Sequence, residues 1–120
     1  MATGARGEAI LEAEGESYPI LFTNRAIFEA ERATGKAVLE IINMLSTQSL
    51  SMGALVQLLL IGLEHGRRDA RQNNRPHTLN DAWNIIDVVG FRAVLAAVFE
   101  ALAAVLSYSQ VTGDESPPEE

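Results

Sequence analysis

Cysteine is missing from all 120 residues, so the chain has no disulfide, no thiolate nucleophile and no cysteine-held zinc. Its absence also fits a reducing compartment. Long hydrophobic runs are missing too. The two most apolar stretches, Met52–Leu63 and Ala93–Leu106, are interrupted by Gln57 and Glu100, and both fall short of the roughly 18 to 20 apolar residues that cross a bilayer. Glutamates rather than an apolar run follow Met1–Gly7, so no export signal is read there. Together these features predict a soluble cytoplasmic protein with no membrane partner.

Recognisable catalytic patterns are equally scarce. Gly35-Lys36 looks like the end of a phosphate loop, but Ala30 stands where that loop needs glycine and Ala37 where it needs serine or threonine. No serine lies in a glycine-flanked elbow, and no dinucleotide fingerprint occurs. Glu29 and Glu31 are too close in sequence to face each other on a helix as a working carboxylate pair. His65 and Asp69, four apart, with His77 nearby, resemble part of a zinc site, yet no fourth ligand accompanies them. The expectation is no catalytic residue, no cofactor and no metal.

Charge is informative once it is located. The net charge is −7, but Glu8, Glu12, Glu14 and Glu16 crowd the first 16 residues, and Asp114, Glu115, Glu119 and Glu120 close the chain. Setting these eight acids and Arg6 aside leaves eight charges of each sign over residues 17–110. A neutral body with acidic ends has no general attraction for nucleic acid. Arg67, Arg68, Arg71 and Arg75 form the one basic cluster. It reads either as a clamp for phosphates or an acidic partner segment, or as a solvated helix end complementing the macrodipole.

What the sequence does have is apolar periodicity: 48% of its residues are hydrophobic. Over residues 8–23, Ala9, Leu11 and Ala13 alternate with Glu8, Ile10 and Glu12, and Tyr18, Ile20 and Phe22 with Ser17, Pro19 and Leu21. Glu14-Gly15 supplies the turn of a hairpin. Pro19 cannot donate to a ladder, which places it on an edge. Thr23-Asn24 then caps a helix over Arg25–Thr34, ended by Gly35. Helical spacing resumes over Lys36–Leu45, and Ser51 caps a third helix, Met52–Gly66. Arg67–His77 reads as a polar basic linker. Thr78-Leu79-Asn80-Asp81 has capping-box form and opens a helix at Leu79, which Gly90 either breaks or bends before Phe91–Ser109 continues.

The predicted fold is mainly α with a small N-terminal β-hairpin (α+β), the hairpin followed by four to five helices. Residues 1–7 read as a flexible N-terminus, 8–109 as a single globular domain and 110–120 as a disordered acidic tail.

Two helices attract notice. Met52–Gly66 is apolar nearly all round, and Phe91–Ser109 carries a bulky stripe with alanines elsewhere. So short a chain can hardly surround both, which predicts an exposed apolar surface. The candidate protein-binding residues are Leu55, Leu58, Ile61, Trp83, Val94, Ala97 and Ala101, with Trp83 read either as a core anchor or as a partner anchor. A homo-oligomer follows from the same surplus.

The order hairpin, short helix, Glu31-Arg32-Ala33-Thr34-Gly35, then Leu39, Ile42 and Leu45 resembles the small tail assembly chaperones of long-tailed phages, in particular those of gene transfer agents. The resemblance covers about residues 7–66 and rests on the helix-ending Glu-x-x-Thr-Gly string. It implies a non-enzymatic protein of the bacterial host cytoplasm that coats the tape measure protein, helps recruit tail tube protein and often self-associates. Some relatives are tail tube components, so a structural tail protein retained in the particle is the alternative it implies. The basic stretch Arg67–His77 and the acidic Pro117-Pro118 ending depart from the family pattern.

Overall fold

The computed structural model describes residues 7–70 and 75–115, with side chains through residue 106. Residues 1–6, Arg71 and the end of the acidic tail therefore lie outside the described residues. Strands β1 (Gly7–Ala13) and β2 (Glu16–Phe22) pair antiparallel, with Ala13 opposite Glu16 and Gly7 opposite Phe22. The two turn residues, Glu14 (φ 53°) and Gly15 (φ 80°), are both left-handed, as a tight hairpin turn requires. Five helices follow: α1 (Asn24–Thr34), α2 (Val38–Ser46), α3 (Met52–Asp69), α4 (Leu79–Val89) and α5 (Phe91–Glu115). This is the predicted α+β arrangement.

Three of the helix starts, those of α1, α3 and α4, are capped by side chains at their own N-termini. Thr23 and Ser51 accept from the backbone N–H groups of Ala26 and Ala54, and Thr78 and Asp81 form the reciprocal capping box. Gly90, at φ 106° and ψ 145°, breaks the chain sharply: α4 and α5 run 114° apart.

The hairpin lies across the two longest helices, β2 along α3 and β1 along α5, while α1, α2 and α4 close the flanks. Small residues make this possible. A Cβ on Gly66 would stand 2.1 Å from the Pro19 carbonyl oxygen, and one on Gly62 would stand 2.6 Å from Ile20 Cγ2. Likewise a Cβ on Gly7 would meet the Ala101 carbonyl oxygen at 1.7 Å. Backbone therefore packs on backbone at both seams, and Ile20, Phe22, Leu58, Leu59, Leu63, Val94, Val98 and Leu102 fill the fully buried centre.

Three sequence expectations change here. The helix α3 continues to Asp69, so Arg67 and Arg68 form its last turn rather than a linker; Arg67 bonds back to Glu64 one turn earlier. The helix α5 runs through Glu115, past the residue where a disordered tail was expected to begin. Gly113 is the least helix-favouring residue of that stretch, and no proline interrupts it before Pro117. The third change concerns the apolar surplus. The hairpin covers a side of each apolar helix that a purely helical count leaves open, so Leu58, Val94 and Ala101 are buried, while Met52 on α3 and Ala93 and Ala96 on α5 stay exposed. Among the described residues, no single helix is long and apolar enough to cross a membrane.

Candidate protein-binding site

The seven candidate residues do not form one surface. Leu55, Leu58, Val94 and Ala101 are fully buried, Ala97 nearly so, and Ile61 is half-buried against the core. Leu55, Leu58, Val94, Ala97 and Ala101 are therefore core residues, a correction to their reading as partner contacts. Ala101 illustrates the reason: its small side chain and bare backbone let Gly7 of β1 approach, so the expected close partner is the protein's own strand.

Trp83 alone of the seven is open to solvent, at 36%. One turn before it on α4 stands Leu79, 40% exposed. Two large apolar side chains thus share a flank of α4 whose inner face, Ala82, Ile85 and Ile86, packs into the core. Further apolar side chains stand out elsewhere: Ile10 on the outer face of the hairpin beside Pro19, Leu39 on α2, and Phe28 on α1, with the Arg32 guanidinium 5.8 Å from its ring centre. Alternation sets Ile10 on the face opposite to the buried Ala9 and Leu11, and Leu39 reads only as part of a helical run, so the sequence singles out neither these two nor Phe28 as a partner contact.

The basic cluster is largely committed to structure. Arg67 donates through Nε and Nη2 to Glu64, at 3.2 and 3.0 Å. The same carboxylate accepts the His77 backbone N–H and so fastens the segment before α4 onto α3. Burial pushes the Glu64 carboxyl up, but the Arg67 and His77 hydrogen bonds outweigh it and bring it below its ordinary value. Arg75 forks onto Asp81 at 2.8 and 3.1 Å. That bidentate bond, with the Thr78 backbone N–H, holds the Asp81 carboxyl well below the usual carboxylate range. Two of the four arginines are thus neutralised by carboxylates, and Arg68 is exposed.

The metal-like trio falls apart in space. His65 Nε2 lies 3.1 Å from Glu29 Oε1, tying α3 to α1, whereas the His77 ring packs edge-on against Tyr18 with centroids 6.0 Å apart. Among the described residues no group of three histidines or acids is placed to hold a metal ion.

Between the hairpin tip and α4 lies a cleft of about 300 Å³. Ala13, Ile85, Val88 and Tyr18 line it together with Glu14, Glu16, His77, Asn84 and the Arg75–Asp81 pair. Tyr18 titrates above its ordinary value, first because of burial and then because Glu16, Glu14 and Asp81 stand close.

The Glu31-x-x-Thr34-Gly35 string proves to be a joint. Gly35 adopts the left-handed C-cap conformation (φ 73°), and its N–H donates to the Glu31 carbonyl. The Thr34 hydroxyl donates to the Ala30 carbonyl at 2.9 Å, and Glu31 Oε2 accepts the Val38 N–H at 2.9 Å. Ala37, the N-cap of α2, offers no side-chain acceptor, so Glu31 caps α2 from the helix before it. Compared with family models, curated proteins and solved structures, the chain matches none of them.

Proposed function

We propose that this chain is a non-enzymatic tail assembly chaperone of the phage or gene-transfer-agent kind. In this reading it works in the cytoplasm of a bacterial host, binds the tape measure protein and assists assembly of the tail tube. The observation that carries the reading is the uncovered Leu79–Trp83 flank of α4. Tryptophan with an aliphatic neighbour one turn away is the pattern by which helices lie against an apolar stripe of another helix. A tape measure protein is a long helix that repeats such stripes, so modest affinity per copy adds along its length. The hairpin-first order and the Glu31–Gly35 joint into α2 support the same reading, because they are the features on which the family likeness rests.

Copies bound side by side on one long partner should also touch each other, which gives a homo-oligomer. Light scattering of the purified chain tests that part: a concentration-dependent rise in mass is expected, and an unchanging 13.0 kDa particle would count against it.

The decisive experiment is co-expression with an aggregation-prone tape measure segment. The wild-type chain should keep the segment in solution, and a Leu79→Ser/Trp83→Ser double variant of unchanged circular dichroism should not. A segment that aggregates equally with either protein overturns the proposal. Mass spectrometry of purified particles then separates the two tail roles: a chaperone is missing from them, whereas a tail tube or minor tail component is present in stoichiometric amount.

A further inference from the structure

The cleft between the hairpin tip and α4 is separate from the Leu79–Trp83 flank, neither of whose residues lines it. We propose that it receives the side chain of an arginine or lysine presented by a protein partner. Its volume of about 300 Å³ is at the small end for ligand sites, room for one long side chain. The lining is of two kinds. Ala13, Ile85, Val88 and the Tyr18 ring offer apolar surface, and Val88 is 49% exposed there with nothing of the described chain covering it. The polar part of the lining holds the exposed carboxylates of Glu14 and Glu16, with Asn84 and His77 beside them. An aliphatic stem ending in a cation matches that division, stem against the wall and head between the acids.

Charge complementarity excludes the other occupants. Asp81 and Arg75 offset each other through their two-pronged bond, and the His77 ring is packed on Tyr18, which leaves Glu14 and Glu16, among the described residues, as the unpaired carboxylates of the lining. An anionic ligand finds no free fork, since the guanidinium of Arg75 is already spent on Asp81. A neutral apolar side chain would strip water from the two carboxylates with no compensating bond. Burial is the first cause of the raised Tyr18 phenol, and the charges that add to it, Glu16, Glu14 and Asp81, are all acids. The ring also offers a face to a cation. This inference stands on the cleft alone and does not require the chaperone reading.

The test is an NMR titration of the full chain with N-acetyl-argininamide, using N-acetyl-citrullinamide as the neutral probe of the same shape. Shifts should concentrate on Tyr18, Asn84, Ile85 and Val88 and saturate with the arginine probe, and the citrulline probe should produce none. A Glu14→Gln/Glu16→Gln variant should bind about fivefold more weakly, the effect of removing two exposed ion pairs. Glu100→Gln, an exposed acid on α5, should change nothing. Shifts scattered over all surface acids, equal binding of citrulline, or unchanged affinity in the double variant would each overturn the assignment.

Discussion

Glycines at two positions on one helix show how a single missing methyl decides packing. Gly66 faces the backbone of β2 so closely that alanine would force the strand aside. Gly53, near the start of the same helix, has nothing within 4 Å of the place its Cβ would occupy. Both substitutions improve helix propensity, but only one must also find room. Gly66→Ala is expected to destabilise by about 1–2 kcal/mol, overpacking less the propensity gain. Gly53→Ala should be neutral or stabilising by a few tenths of a kcal/mol. Denaturant midpoints measured side by side check the pair, and equal shifts would refute the seat assigned to Gly66.

Asp81 carries a pH prediction at the same scale. Its carboxyl is lowered in the folded chain from an ordinary value of 3.8, through Arg75 first and the Thr78 N–H second. A lowered folded value means stability that is complete above the unfolded value and lost as pH falls beneath it. Asp81→Asn should therefore cost about 1 kcal/mol near neutrality, a capping-box magnitude kept modest by the exposure of Arg75. The difference from wild type should shrink below about pH 4 and vanish in stronger acid. A constant difference from pH 7 to pH 2 would show that the charge plays no part.

Among the elements, the α1–α2 joint and the α4–α5 corner behave differently. The first is held by specific bonds: Gly35 ends α1 and the Glu31 carboxylate starts α2. Glu31→Ala removes the only side-chain acceptor at the start of α2 and should cost about 1 kcal/mol. Hydrogen exchange at the Val38 amide should accelerate while α3 amides keep their protection; a uniform change across the chain would deny the local role. The joint was legible in the sequence as a stop signal, since Thr-Gly after a helical run has a known geometry. That Glu31 serves the following helix was not legible, because the contact spans seven residues and depends on how the chain turns. The corner at Gly90 was left open between bend and break for the same reason: glycine permits either, and packing on β1 and α3 chooses.

At the level of the whole molecule, burial sorts residues that periodicity treats alike. Leu58 and Leu39 are both leucines in helical runs, one fully buried and the other 63% exposed. Leu58→Ala should cost about 2–5 kcal/mol by opening a cavity, and Leu39→Ala less than about 0.5 kcal/mol. Thermal unfolding distinguishes them. Similar, small losses at both positions would mean that α3 keeps a free apolar face after all.

The sequence by itself determined the elements: hairpin alternation, the Glu14-Gly15 turn, the caps at Thr23, Ser51 and Thr78, and the stop at Gly35 all act over one to four residues. Such local rules are written in neighbouring side chains, so they can be read without the fold. Which apolar faces are hidden was decided only by tertiary structure. Laying a two-stranded hairpin over α3 and α5 consumed the side that carries Leu58, Val94 and Ala101, and left Leu79, Trp83 and Val88 of α4 outside. That outcome depends on close approach at Gly7, Gly62 and Gly66, a fit between segments far apart in the chain, for which hydrophobicity counted residue by residue holds no information.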